Sequence, residues 1–140
     1  MALVYFDSSA LVKLVVEEEG SDLAAALWDG CDAPVSSRIA YPEVRAALAA
    51  AARDHRINVR SLQTAREDWE TFWSATQPVE LTATVERQAG ELAEKHALGG
   101  ADAIHLASAL AIGPSDLVVA AWDRRLRESV ISVGLRVTPA

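Results

Sequence analysis

The chain has 140 residues, 51% of them hydrophobic, with 20 Asp and Glu against 13 Lys and Arg for a formal net charge of −7. That length and apolar content suffice for a core without staples, so residues 1–140 are expected to form a single domain, and one cysteine, Cys31, excludes a disulfide framework and a cysteine zinc cluster, which fits a reducing, cytoplasmic setting. The acidic balance argues against broad phosphate binding by positive surface, and leaves either a solvated acidic face or acids gathered around a cation.

No positive region precedes the apolar start, and no run approaches the ~18 residues that span a bilayer, so neither a signal peptide nor a membrane anchor is expected. Leu3-Val4-Tyr5-Phe6 reads as a buried strand that runs into Asp7 and the small residues Ser8-Ser9-Ala10. Asp7 either caps the next helix or stands at the carboxyl end of a sheet strand, where ligands of open α/β sheets bind. Short helices are expected over Ala10–Val16 and Ser21–Trp28, with Ser21 as cap and Gly30 closing the second. Ala33–Ser36 is a brief strand candidate weakened by Pro34. From Ile39 to Arg53 alanine-rich sequence predicts a helix, with Pro42 and Glu43 in its first turn and Val44, Ala47, Leu48 and Ala51 as its buried stripe.

Asn58 is placed to cap a longer helix to about Thr76, in which Leu62, Ala65, Trp69, Phe72 and Trp73 recur at helical spacing. The two tryptophans are expected in the core, with a partner or dimer surface as the rival. Pro78–Leu81 is a strand candidate, and Thr82 or Thr84 starts a helix through His96. Gly99-Gly100 breaks the chain before an apolar helix that opens on Asp102 and is ended by Gly113-Pro114. Leu117–Ala121 reads as a strand buried on both faces, with Asp123 at its exit; Arg124–Val130 is a short helix and Leu135–Val137 a last strand. Strands alternating with helices predict an α/β domain in three α/β/α layers, around a parallel sheet of four to five strands.

Four acids thus share one kind of position: Asp7 and Asp123 at strand exits, Glu43 and Asp102 in the first turns of helices. In a parallel sheet these positions lie on one edge, so the four carboxylates are expected to converge. Two unit charges ~4 Å apart repel by about 4 kcal/mol at an effective dielectric near 20, so such a cluster needs protons or a cation. Hard oxygen ligands without His or Cys point to Mg²⁺ or Mn²⁺, and such an ion favours phosphodiester hydrolysis. Taken singly, each acid is also a plausible helix cap or dipole partner. His105, with no second histidine nearby, is expected to be a packing residue. Arg38, Arg45, Arg124 and Arg125 flank the acids and are candidates to hold the phosphates of a substrate.

Asp7-Ser8-Ser9-Ala10-Leu11, Pro42-Glu43-Val44, Asp102-Ala103-Ile104-His105-Leu106-Ala107 and Asp123-Arg124-Arg125-Leu126 resemble, in order and over essentially the full length, the signatures of PIN-domain ribonucleases. More narrowly they resemble the VapC toxins of prokaryotic toxin–antitoxin pairs. The resemblance implies Mg²⁺- or Mn²⁺-dependent endonucleolytic cleavage of RNA, a cognate VapB-type antitoxin and a homodimer. It assigns Asp7 and Asp102 as principal metal-binding acids, Glu43 and Asp123 as the other two acidic positions, and Ser9 as the hydroxyl that orients the first Asp. The chain departs from the pattern at Ala121, where relatives carry Thr or Ser, and at Gly99, where a basic residue is common. Those departures and the acidic charge motivate an alternative, a PIN-like module that holds a partner protein or RNA without cutting.

Overall fold

The computed structural model describes residues 2–113 and 116–140. Its elements run β1 (Leu3–Phe6), α1 (Ser8–Val15), α2 (Ser21–Gly30), β2 (Ala33–Ser37), α3 (Ala40–Arg53), α4 (Val59–Ala75), β3 (Gln77–Val79), α5 (Ala83–His96), α6 (Gly100–Ile112), β4 (Leu117–Ala120), α7 (Arg124–Ser132) and β5 (Arg136–Thr138). All strand pairs are parallel, and the five-stranded sheet has the order β3-β2-β1-β4-β5. The chain therefore steps outward from β1 to β2 and β3, then returns to lay β4 against the other side of β1. Right-handed crossovers in opposite directions put their helices on opposite faces of the sheet, which yields the three α/β/α layers.

Side-chain alternation along the strands distributes the core between these layers. Val4 and Phe6 face a cluster with Leu11, Val44, Leu48, Ala65 and Trp69 from α1, α3 and α4. Tyr5, Val35 and Val119 face a second cluster with Val85, Leu92, Leu106, Leu126 and Val130 from α5, α6 and α7. Each fully buried large side chain among these contributes roughly 1.5–3 kcal/mol of transfer free energy. β1 is sandwiched between both clusters, so its carboxyl end is held rigidly. Trp69 belongs to the core, whereas Trp73 is only partly buried and lines a shallow apolar groove with Ile39, Tyr41, Pro42 and Leu81.

Several local expectations change in the structure. Ser21 is the first residue of α2, not its cap: Gly20, at φ +92°, holds the cap position, and Ser21 Oγ donates to the Val16 carbonyl instead. Only glycine fits there easily, since a Cβ at Gly20 would stand 2.9 Å from Trp122 Nε1. β2 is an interior strand despite Pro34; β3 pairs with it only from Val35 onward, so Pro34 lies outside that ladder. Asn58 and Thr82 accept from Ser61 N and Val85 N and cap α4 and α5. Gly99 caps α6 without a side-chain bond, and Gly113 follows its end at φ +98°; Pro114, expected to stop that helix, lies outside the described residues.

Candidate active site

Where the order reverses, between β1 and β4, the carboxyl ends of the strands open onto a crevice of the kind that binds ligands in open parallel sheets. The backbone N–H of Asp7 donates to the Ala120 carbonyl at 3.3 Å, closing the floor of the crevice. A cavity of about 450 Å³ stands above it, lined by Asp7, Ser8, Ser9, Val12, Glu18, Glu43, Ala47, Asp102, His105 and Asp123. Asp7, Glu43, Asp102 and Asp123 come from four different segments and meet here.

Asp7 fills both roles that its sequence context allows. Its backbone is still extended, its Oδ1 accepts from Ala10 N at 2.8 Å and caps α1, and the side chain is buried at the cavity floor. Ser9 Oγ lies 2.9 Å from Oδ1 and 3.1 Å from Oδ2, so the hydroxyl braces the whole carboxylate. Asp123 is likewise a cap, of α7, through Oδ2 and Leu126 N at 3.0 Å. Glu43 and Asp102 stand in the first turns of α3 and α6. Glu43 Oε1 accepts from Ser8 Oγ at 2.5 Å and from His105 Nε2 at 2.9 Å.

These environments drive the carboxyls apart. Burial pushes Asp7 upward, opposed by the nearby His105 and by its Ala10 and Ser9 hydrogen bonds and reinforced by Asp102. Burial also raises Asp102, followed by the charges of Asp123 and Glu43. For Glu43 burial is again the largest influence, but hydrogen bonds from His105 and Ser8, with the charge interaction with His105, outweigh it and hold the carboxyl below its ordinary range. The site is thus one strongly ionised acid beside two whose charge is resisted, an arrangement that a cation relieves. Among the described residues no three His, Cys, Asp or Glu side chains are gathered tightly enough to cage an ion alone. The donor set nevertheless fits Mg²⁺ or Mn²⁺, which bind through one or two carboxylates and retain water.

Two cavity residues escape local sequence reading. Glu18, in the run Glu17-Glu18-Glu19, lines the cavity and is held by Lys13 Nζ at 3.1 Å. Lys13 in turn sits 5.0 Å over the Trp122 ring, next to Asp123. His105 is more than packing, because both ring nitrogens are hydrogen bonded: Nδ1 to the Tyr5 hydroxyl at 2.7 Å, Nε2 to Glu43. Its spacing of three from Asp102 on one helix was the available signal, since such residues share a face.

None of the four arginines lines the cavity. Arg38 pairs with Glu80 across β2 and β3, and Arg45 donates to the Tyr41 hydroxyl at 2.8 Å near Glu70. Two residues from Glu43 on a helix is a turn of about 200°, which points Arg45 away from the site. Arg124 lies 3.8 Å from Glu128 and Arg125 donates to the Ala97 carbonyl at 3.0 Å. Ala121 is buried in the apolar cluster under α7, where its carbonyl accepts from Arg127.

A family model for the PIN domain matches residues 4–128. This chain belongs to the PIN-domain family. It is 66% identical to Ribonuclease VapC45 of Mycobacterium tuberculosis, over all of this chain and 97% of that one. The crystal structure of Mycobacterium tuberculosis VapC20, a Sarcin-Ricin loop cleaving toxin, shares the fold with a TM-score of 0.69 at 19% identity, covering 94% of this chain and 95% of that one. A toxin–antitoxin complex from Klebsiella pneumoniae does so at 0.66 and 20% identity, covering 98% of both chains. Asp7, Glu43, Asp102 and Asp123 all lie within the matched residues and line the cavity.

Proposed function

We propose that this PIN domain, acting as one unit over residues 1–140, is a VapC-type endoribonuclease that hydrolyses RNA phosphodiester bonds with Mg²⁺ or Mn²⁺. The observation that carries the reading is the convergence of Asp7, Glu43, Asp102 and Asp123 on one cavity at the sheet's reversal point. Its identity to a curated ribonuclease over the full chain supports the same activity.

Asp7 and Asp102 would hold the cation, with Asp123 on the same cavity wall. When bound, the ion supplies positive charge to the scissile phosphate and acidifies a water. Ser9 keeps the Asp7 carboxylate turned to the cavity through both oxygens. Glu43, kept ionised by Ser8 and His105, orients the attacking water and accepts its proton. The surrounding acids repel a bare phosphate backbone, so RNA enters productively only once their charge is neutralised.

The proposal extends to a VapB-type protein antitoxin, as the Klebsiella complex pairs toxin with antitoxin, to a homodimer, and to action in the cytoplasm. No helix among the described residues is long and apolar enough to cross a membrane. Purified protein free of any antitoxin is expected to cleave RNA with Mn²⁺ and to stop with a chelator; inactivity with both Mg²⁺ and Mn²⁺ overturns the reading.

A second reading, a PIN-like module that binds without cutting, draws on the absence, among the described residues, of three tightly gathered acids. Mn²⁺ titration followed by thermal unfolding separates the two. A working acid site gains stability by mass action, about 2.7 kcal/mol at a hundredfold excess over Kd, and a vestigial one gains none.

A further inference from the structure

Glu43 belongs to one helical layer and His105 to the other, yet their side chains meet over the end of β1, with Nε2 2.9 Å from Oε1. Ser8 Oγ donates to the same oxygen. Among the described residues no donor reaches Oε2, which leaves that oxygen to the contents of the cavity.

The protons on this chain of groups follow from their neighbours. An ionised carboxylate only accepts, so His105 Nε2 carries a hydrogen. Ser8 Oγ, whose hydrogen goes to Glu43, lies 3.0 Å from Nε2 and can only accept from it; in the neutral ring Nδ1 is then the acceptor, and the Tyr5 hydroxyl, 2.7 Å away, donates to it. Tyr5 is fully buried, and Nδ1 is the hydrogen-bond partner of its hydroxyl. Both ends of the imidazole therefore specify one tautomer. His105 is 3% exposed and packs edge-on against the Tyr5 ring.

We propose that Tyr5 and His105 are positioning residues, a strut from the strand core that fixes Glu43 by one carboxylate oxygen and so presents the other to the cavity. The kinetic consequence rests on the ribonuclease reading, whereas the geometric one stands apart from it. Packing alone would need the two rings but neither the hydroxyl nor a particular ring nitrogen.

Tyr5→Phe removes only the hydroxyl. In RNA cleavage with Mn²⁺ it is expected to lower kcat about tenfold with KM little changed, the usual effect of losing an outer partner of a reacting group. In a Glu43→Gln background the same change is expected to cost nothing further, because its target is already gone. His105→Gln, which keeps an amide donor near the Nε2 position, is expected to retain more activity than His105→Leu. Equal losses from Tyr5→Phe in both backgrounds, or equal activity of the two His105 variants, overturn the proposal. Nitrogen-15 NMR of the imidazole in metal-free protein supplies an independent arm, expected to show the Nε2–H form in the parent and a mixture in Tyr5→Phe. An Nδ1–H form in the parent overturns the strut whether or not RNA is cut. The Nε2–H form in a protein that cuts no RNA overturns the ribonuclease reading and leaves the strut standing.

Discussion

The charge of Asp123 pushes the Asp102 carboxyl above its ordinary range, an influence second only to the burial of Asp102 itself. The two acids stand on α6 and α7, 21 positions apart in the chain, and meet only because both helices start at the same edge of the sheet. A carboxyl raised in the folded state binds its proton more tightly there than in the unfolded chain. Its contribution to stability is full below the ordinary value of 3.8 and is lost as pH rises through the raised value. Metal-free Asp102→Asn is therefore expected to melt above the parent at neutral pH, with the gap closing in acid. Mn²⁺ should reverse the order by stabilising only the parent. Melting curves with chelator and with Mn²⁺ check both signs, and a metal-free parent that is the more stable at neutral pH contradicts them.

Asp7→Asn separates charge from capping. The amide oxygen still accepts from Ala10 N, so α1 keeps its cap and circular dichroism should be unchanged. RNA cleavage is expected to fall by about 100-fold or more, equivalent to roughly 3 kcal/mol of lost transition-state stabilisation. Ser9→Ala removes the brace and not the ligand, with an expected loss of about tenfold. An Asp7→Asn variant as active as the parent removes Asp7 from the site.

Ala97 ends α5 in the left-handed region, at φ +53°. A non-glycine residue there carries about 1–2 kcal/mol of steric cost, and glycine carries none. Ala97→Gly is expected to stabilise the protein by about 1 kcal/mol in urea unfolding, with cleavage unaltered.

Trp69 is fully buried, and its Nε1 has no hydrogen-bond partner among the described residues. Trp69→Ala is expected to cost about 3–5 kcal/mol through the cavity that it leaves. Trp69→Phe should cost less than about 1.5 kcal/mol, since it keeps most of the ring contact with Tyr41 and Trp73 and removes a desolvated N–H. Chemical denaturation of the two variants checks the difference.

What the sequence determined by itself was local. A hydrophobic run ending in Asp7, caps at Asn58 and Thr82, acids in the first turns at Glu43 and Asp102, and the alternation of strand and helix all depend on residues within a turn or two of one another. Propensity and hydrogen bonding act at that range, and the parallel sheet then makes strand exits and helix starts share an edge. Ser21 failed even locally: the cap position falls to Gly20, which lies against Trp122, about a hundred residues away in sequence.

Only the tertiary structure decided how the acids are treated once assembled. His105 meets Glu43 across 62 residues and Tyr5 across 100, and no periodicity in the chain encodes either contact. Glu18 lines the cavity while paired with Lys13, which packs over Trp122 more than a hundred residues away in sequence. The partners of the four arginines, an acid, a hydroxyl or a carbonyl in each case, are likewise visible only in the folded chain. Charge and hydrogen bonding act through space, so which partner a side chain takes is set by the packing of whole layers.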